Sequence, residues 1–212
     1  MLGGNREWTR PFTDAVGRAV AATRLSPNAI TVLQLVLTLP VAWLLWQGPL
    51  VWGGLAMGTV ASLDFVDGTV ARITGRISKA GGYLDSMVDR FVDVLLLLPL
   101  LLRSDDTRTW IAGSVFLFAM TVTSFARARL FQDMRPPPAG MWKRDVLERP
   151  DRYLLLVPAV IAQGVLDELG SGDRFDVLFW VLVVLAALSL LTVLQRMRTA
   201  MRLLGEVDAR GE

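Results

Sequence analysis

Residues 64–89 read DFVDGTVARITGRISKAGGYLDSMVD and contain four aspartates arranged in two pairs. Asp64 and Asp67 are three positions apart and share one helix face, while Asp85 and Asp89, four positions apart, share a face of a second helix. A short connection between the two helices would bring both faces together. Four converging carboxylates repel one another, and burial adds to that cost. Divalent cations would remove it, so the pattern predicts an oxygen-liganded metal site.

Each aspartate taken alone has an ordinary explanation as a helix cap, a surface charge or a partner of Arg76 or Arg90. The group as a whole does not, because carboxylates at a membrane edge are costly and usually functional. Asp93 extends the second face by one more turn. It is either a fifth site residue or, as we favour, a buried partner of Arg90 or of a neighbouring helix.

Six apolar stretches surround this segment, and 53% of the 212 residues are hydrophobic. The mean hydropathy of +0.46 is too high for an ordinary soluble domain. A membrane-spanning helix needs about 20 apolar residues. We therefore predict an all-α integral membrane protein whose catalytic domain, residues 26–198, has six transmembrane helices. The predicted spans lie at about residues 29–47, 49–65, 83–102, 109–126, 153–167 and 175–194.

The segment that precedes the first span, residues 1–25, predicts an N-terminal amphipathic helix at the membrane interface. Trp8, Phe12, Val16 and Val20 recur at helical spacing between charged residues. A short packed helix without lipid contact is the alternative. The first span then begins at a Ser-Pro-Asn helix-start signal, and residues 199–212 form a predicted cytoplasmic tail.

Basic residues are distributed unequally between the two sides of the predicted bundle. Of the 22 Lys and Arg residues, 18 fall before span one, after span six or in the loops between spans two and three and spans four and five. Cytoplasmic loops carry such an excess. The distribution predicts six spans with both ends in the cytoplasm, and it puts the aspartate-rich loop at the cytoplasmic face.

The sequence has neither Cys nor His, which excludes disulfides, thiolate nucleophiles, histidine metal sites and imidazole bases. Catalysis must use carboxylates, Lys or Arg, hydroxyls, or a metal held by oxygen ligands. Mg²⁺ and Mn²⁺ suit such ligands and typically bind a diphosphate. Gly68 and Gly81 would let a nucleotide approach the backbone closely, and Arg72 is well placed to hold a phosphate oxygen.

These residues match the signature D-x2-D-G-x2-A-R-x8-G-x3-D-x3-D of the CDP-alcohol phosphotransferase family at every fixed position, and the sequence resembles that family over nearly its whole length. The resemblance implies two divalent cations, Mg²⁺ or Mn²⁺, ligated by Asp64, Asp67 and Asp85. Asp89 would complete the metal cluster and act as general base.

The resemblance also implies the substrates and the setting of the reaction. The phosphatidyl or archaetidyl group of a CDP-linked lipid would pass to a small polar alcohol with release of CMP, and nucleic acid would have no part. The enzyme would be a homodimer in the inner membrane of a prokaryote, with its active site facing the cytoplasm. The CDP moiety would contact Asn28, Thr31, Gly68, Ala71, Arg72 and Gly81.

The acceptor alcohol is suggested by two runs, SFARAR at residues 124–129 and ERPDR at residues 148–152. They resemble the phosphatidylinositol-phosphate and archaetidylinositol-phosphate synthases of the family. That resemblance implies that Arg127, Arg149 and Arg196 bind the phosphate of inositol 1-phosphate, although the positive-inside rule alone also predicts arginines there. Glycerol 3-phosphate is second, because Gln34 stands where synthases for that acceptor usually have Arg, and serine is third.

Two functions of other classes are weighed against the transferase. A divalent-cation transporter would need carboxylates along a path across the membrane, whereas these cluster at one edge. A catalytically silent scaffold would not need all four signature aspartates. Both alternatives are therefore disfavoured.

Overall fold

The computed structural model describes residues 25–134, 145–172 and 176–209. These residues form six helices and no strand, which agrees with the predicted all-α class. The helices are α1 (Pro27–Gln47), α2 (Leu50–Thr74), α3 (Lys79–Leu102), α4 (Thr107–Asp133), α5 (Arg149–Glu168) and α6 (Val177–Asp208). The predicted amphipathic helix before the first span and the proline-rich segment at residues 136–143 lie outside the described residues.

Four of the helices, α1, α2, α4 and α6, are long and apolar enough to cross a membrane. Their outward surfaces carry large apolar side chains: Trp43, Trp52, Phe118 and Trp180 are each 64% to 65% exposed. Water would penalise so much exposed apolar area, whereas lipid would not. The chain is therefore a membrane protein. Helices α3 and α5 are less apolar than these four, because charged side chains occupy the first part of α3 and both ends of α5.

The two aspartate-bearing helices are joined by a four-residue connection. Gly75 ends α2 with φ at 66°, a left-handed conformation that glycine adopts at no steric cost, and its N–H faces the carbonyls of Ala71 and Arg72. Ser78 then caps α3, its hydroxyl accepting a hydrogen bond from the backbone N–H of Gly81 at 3.0 Å. The glycine turn and the serine cap reverse the direction of the chain within four residues. The carboxylates of α2 and α3 therefore lie at the same end of the bundle.

Helix α1 packs against both α2 and α3 and links them. Its start is fixed by Ser26, whose hydroxyl accepts from the N–H of Ala29 at 3.2 Å, and by Pro27 in the first turn. This places the first turns of α1 beside the connection between α2 and α3. The first helix thereby contributes directly to the aspartate-bearing end of the bundle.

The core draws buried apolar side chains from all six helices, and α4 packs most extensively against α6. Leu96 and Leu100 of α3, Phe116 of α4, and Leu182 and Leu185 of α6 are at most 1% exposed. These side chains recur at helical spacing, so each helix presents one apolar stripe to its neighbours. This rigid core supports the polar end of the bundle.

Helices α2 and α5 approach closely through glycines. A Cβ atom added at Gly164 would lie 2.6 Å from the backbone nitrogen of Val51, and one added at Gly54 would lie 2.6 Å from a side-chain carbon of Ile161. Small residues permit such close backbone contact between membrane helices. The contact brings the start of α5 next to the aspartates of α2.

The last helix is longer than the predicted sixth span. The apolar run ends near residue 194, but α6 continues to Asp208 and includes part of the predicted tail. The polar residues after position 194 have good helix propensity, and a helix is not obliged to end where its apolar character does. Arg196 consequently projects from a helix and is 8% exposed.

Candidate active site

Three of the predicted metal ligands converge at the end of α2 and the start of α3. One carboxylate oxygen from each of Asp64, Asp67 and Asp85 lies within 4.8 Å of the other two, a spacing that a shared cation can bridge. Asp67 is buried, and Asp64 and Asp85 are partly buried. A buried oxygen of Asp85 has no hydrogen-bond partner among the described residues. Unpaired anionic oxygen at this position fits the hard donor set that a divalent cation requires.

Asp67 is held in place by the helix that packs beside it. The Thr31 hydroxyl lies 2.8 Å from Asp67 Oδ2 and 3.1 Å from the carbonyl of Pro27, so the carboxylate is its closer acceptor. The backbone N–H of Gly68 donates to Asp67 Oδ1 at 2.5 Å. Thr31, which the sequence associated with the nucleotide, therefore contacts a predicted metal ligand.

Asp89 lies beside the group of three and faces a cation. Arg149 Nη1, from the first turn of α5, is 2.6 Å from Asp89 Oδ1 and 2.6 Å from Asp64 Oδ1. The two carboxylates come from different helices, so a single guanidinium joins α2, α3 and α5. The Asp89 and Arg149 side chains are 13% and 16% exposed, which keeps solvent screening of this contact low. Of the arginines predicted to bind an acceptor phosphate, Arg149 contacts two of the aspartates.

The other two predicted acceptor arginines have different partners. Arg196 pairs closely with Asp145 and donates to the backbone carbonyl of Thr123 at 2.6 Å. The guanidinium of Arg127 is exposed and lies 5.5 Å from the centre of the Phe131 ring. These contacts link α6, the segment before α5 and the end of α4 at the same polar end of the bundle.

The remaining predicted nucleotide contacts flank the aspartates. A Cβ added at Gly81 would lie 2.9 Å from the Asn28 side-chain oxygen, so the first turns of α1 and α3 lie close together here. The Arg72 guanidinium donates to the Thr69 hydroxyl at 2.9 Å, and a Cβ added at Gly68 would lie 3.4 Å from the same guanidinium. Ala71, one turn before Gly75 in α2, is half-buried.

Asp93, for which the sequence left open a role in the site or, as favoured, in a buried ion pair, is 5% exposed. It contacts both kinds of predicted partner: Arg90 Nε at 3.8 Å in its own helix and Arg149 Nε at 3.4 Å from α5. Tyr153, which no motif singled out, donates its hydroxyl to Asp93 Oδ1 at 2.7 Å. Its spacing of four residues from Arg149 on one helix was the available signal, because it places both side chains on the same face.

The chain belongs to the CDP-alcohol phosphatidyltransferase family, whose model matches residues 24–147 and so covers all four clustered aspartates. The family resemblance of the motif is thereby confirmed, and the protein is a phospholipid-synthesising transferase rather than a transporter. The six helices, the short connection between α2 and α3, and the converging aspartates all agree with membership of this family.

Two relatives show which members of the family this chain is similar to. A phosphatidylinositol phosphate synthase of Corynebacterium glutamicum is 32% identical over 204 residues, which cover 93% of this chain and 88% of that protein. An archaetidylinositol phosphate synthase of Pyrococcus horikoshii is 28% identical over 78% of this chain and 85% of its own length. Both relatives match along most of their length.

Solved structures of the phosphatidylinositol phosphate synthase of Mycobacterium tuberculosis share the fold. The structure with CDP-DAG bound has a TM-score of 0.72 at 25% identity and covers 89% of this chain and 92% of that one. The structure in complex with manganese and citrate has a TM-score of 0.71 at 25% identity, with coverage of 89% and 88%.

Proposed function

We propose that this enzyme transfers the phosphatidyl or archaetidyl group of a CDP-linked lipid to inositol 1-phosphate and releases CMP. The observation that carries the proposal is the convergence of Asp64, Asp67 and Asp85 within 4.8 Å, next to a partly buried arginine. An anionic ligand set suits a metal-bound diphosphate, and an adjoining cation suits an acceptor that is itself a phosphate ester. The names of the relatives point to the same acceptor.

Asp64, Asp67, Asp85 and Asp89 would hold two divalent cations, Mg²⁺ or Mn²⁺. Their carboxylate oxygens are hard ligands of the kind these ions prefer, and a solved relative was obtained with manganese. When bound, the cations would neutralise the diphosphate and stabilise charge at the reacting phosphorus. The CDP moiety would contact Asn28, Thr31, Gly68, Ala71, Arg72 and Gly81, of which Thr31 and Gly68 hydrogen-bond to Asp67.

Asp89 would act as the general base. It would take the proton from the acceptor hydroxyl, whose oxygen then forms a bond to the lipid-linked phosphorus while the bond to the departing CMP oxygen breaks. Asp89 is a suitable base because it lies at the edge of the carboxylate group, beside Arg149. An acceptor whose phosphate binds Arg149 would bring its hydroxyl close to that carboxylate.

Inositol 1-phosphate is preferred to glycerol 3-phosphate as the acceptor. Arg127, Arg149 and Arg196 would bind its phosphate, and arginine provides bidentate contacts to such groups. Gln34, which stands where synthases for glycerol 3-phosphate usually have Arg, is fully buried, and its side-chain nitrogen donates to the carbonyl of Val60 at 3.2 Å. That contact engages Gln34 between α1 and α2 and favours a packing role over acceptor binding.

The membrane arrangement follows from the same helices. All six would span the inner membrane of a prokaryote, with an N-terminal amphipathic helix at the interface and the active site facing the cytoplasm. At 24 and 20 residues, α3 and α5 are about 36 Å and 30 Å long, enough to span with their charged ends at the surface. The enzyme would work as a homodimer, as the family resemblance implies.

The proposal is tested by CMP release from CDP-linked lipid in detergent with Mg²⁺, using inositol 1-phosphate, glycerol 3-phosphate and serine in parallel. We expect release with inositol 1-phosphate to exceed the other two. The Asp89→Asn variant should lose about 100-fold or more of kcat, the usual contribution of a general base. The exposed Asp133→Asn is its control. Equal release with serine would refute the acceptor, and full turnover by Asp89→Asn would refute the base.

A further inference from the structure

Asp93 joins three groups that approach it from two helices. Its carboxylate is 5% exposed and receives the Tyr153 hydroxyl at 2.7 Å and Arg149 Nε at 3.4 Å, both on Oδ1. Arg90 Nε lies 3.8 Å from Oδ2. The Arg149 guanidinium is also 5.8 Å from the centre of the Tyr153 ring. Asp93 and Tyr153 therefore contact the inner side of Arg149, away from the carboxylates that its outer end meets.

Asp93 does not belong to the group of three carboxylates that can share a cation. Its partners are a hydroxyl donor and two guanidinium groups, so its charge is already engaged. Any effect of Asp93 on the reaction must therefore pass through those partners. Arg149 is the partner that reaches the site, because its Nη1 atom is 2.6 Å from both Asp64 and Asp89.

The planarity of guanidinium makes this contact decisive for the direction of Arg149. The five N–H donors of arginine lie in one rigid plane, so a partner that fixes Nε also fixes the direction of the terminal nitrogens. Without Asp93 and Tyr153, the guanidinium would be held only by the two carboxylates that its Nη1 atom contacts, and its plane would be free to rotate about that contact. A phosphate would then have to reorient the side chain before binding it, which lowers affinity.

We propose that Asp93 and Tyr153 are positioning residues that orient Arg149 for the phosphate of the acceptor and so set the preference for a phosphorylated alcohol. This inference rests on the proposed function, because it assumes that Arg149 binds the acceptor phosphate. Asp93 and Tyr153 contact neither the substrates nor the metal ions in this scheme. Their influence is on acceptor recognition and not on the chemical step.

The test compares the KM values of both substrates in variants, measured by CMP release in detergent with Mg²⁺. Tyr153→Phe removes one hydroxyl and keeps the ring, and the only other tyrosine, Tyr83, is 70% exposed and provides the matched control Tyr83→Phe. We expect Tyr153→Phe to raise the KM for inositol 1-phosphate about tenfold, the size associated with losing one hydrogen bond to a charged group. The KM for CDP-linked lipid and kcat should stay within about twofold.

Asp93→Asn, with the exposed Asp133→Asn as control, should raise the same KM by a larger factor. Mn²⁺ affinity, followed by electron paramagnetic resonance, should not change in this variant, because Asp93 is not a ligand. A purely structural role would lower thermal stability while leaving the ratio of the two KM values unchanged, and that result would overturn the inference. Weaker Mn²⁺ binding in Asp93→Asn would overturn it as well.

The two proposals fail in different ways. A wild-type enzyme that uses no phosphorylated acceptor would refute the proposed function and this inference together. A wild-type enzyme that turns over inositol 1-phosphate, with unchanged acceptor KM in Tyr153→Phe and Asp93→Asn, would refute only the inference.

Discussion

Asp67 and Asp89 have the same side chain, but their neighbours differ, and so do the roles proposed for them. Asp67 accepts hydrogen bonds from the Thr31 hydroxyl and the Gly68 backbone, which fix both of its oxygens. Asp89 instead faces the guanidinium of Arg149. In the proposed function, the fixed Asp67 would serve as a metal ligand, and Asp89, beside the cation proposed to bind the acceptor, would serve as a ligand and also as the base. Two identical residues of one motif thus have different surroundings, because helices outside the motif contact them differently.

Removing the Thr31 hydroxyl tests whether a contact from α1 tunes the cluster. Thr31→Val keeps the shape of the side chain but leaves Asp67 Oδ2 without that donor. Loss of a hydrogen bond that orients a metal ligand typically costs about 10-fold to 100-fold in metal affinity, so Mn²⁺ binding should weaken by that factor. The control is Thr121→Val, an exposed residue whose hydroxyl donates to Leu117 in its own helix. Equal Mn²⁺ affinity in the two variants would show that the Thr31 contact is incidental.

At the scale of helices, α1 is the element that joins the two carboxylate faces. It packs against both α2 and α3, and its first turns reach Asp67 through Thr31 and Gly81 through Asn28. The short connection at Gly75 turns the chain, but it does not by itself bring the carboxylates together. The carboxylates converge because α1 packs on one side of them and α5 approaches on the other.

Close packing between α2 and α5 is the second requirement, and a glycine tests it. In Gly164→Ala the new Cβ would lie 2.6 Å from the Val51 backbone nitrogen, and backbone cannot move aside cheaply. We expect a loss of about 1–3 kcal/mol in stability, seen as a lower melting temperature in detergent. Gly205→Ala in α6 meets no atom within 4 Å and should be neutral or slightly stabilising. A melting temperature for Gly164→Ala equal to that of Gly205→Ala would contradict the packing.

The sequence predicted the helices, and the pairing of aspartates within each helix, better than it predicted contacts between segments far apart in the chain. Spacing within the motif placed Asp64 with Asp67 and Asp85 with Asp89, and each pair does share a helix face. Gly75 and Ser78 are likewise local signals, one for the end of a helix and the other for the start of the next. Such features depend on residues a few positions apart.

Contacts across the bundle could not be predicted in the same way. Tyr153 and Asp93 are 60 positions apart, and their hydrogen bond depends on the crossing of α5 over α2 and α3. Only one of the three predicted acceptor arginines, Arg149, is seen against the aspartates, because the partner of a long charged side chain is decided by which helix ends lie nearby. Composition and spacing contain little information about that arrangement.

As a whole molecule, the proposed enzyme needs its site aspartates and arginines gathered at one end of an apolar helical bundle. The aspartates, Arg149 and Arg196 lie at the end formed by the starts of α1, α3 and α5 and the cytoplasmic parts of α2, α4 and α6 in the proposed topology. Arg103 lies at the other end, where it donates to the carbonyl of Gly48 at 2.7 Å. Lipid-linked and water-soluble substrates can meet only at such an end, because one stays in the bilayer and the other arrives from water.

The absence of cysteine makes this topology directly measurable. Single cysteines at the exposed positions Arg76, Asp105 and Glu206 should react with a membrane-impermeant maleimide from defined sides. We expect Arg76→Cys and Glu206→Cys to be labelled from the cytoplasmic side and Asp105→Cys from the opposite side. The cysteine-free parent controls for background. Labelling of positions 76 and 105 from one side would contradict the proposed spans.

The convergence of carboxylates on divalent ions is tested most directly by anomalous diffraction from crystals of the enzyme grown with Mn²⁺ and CDP-linked lipid. We expect manganese peaks about 2.0–2.6 Å from oxygens of Asp64, Asp67 and Asp85, with the CDP diphosphate on the same ions. Manganese bound elsewhere, or a diphosphate held without those three carboxylates, would contradict it.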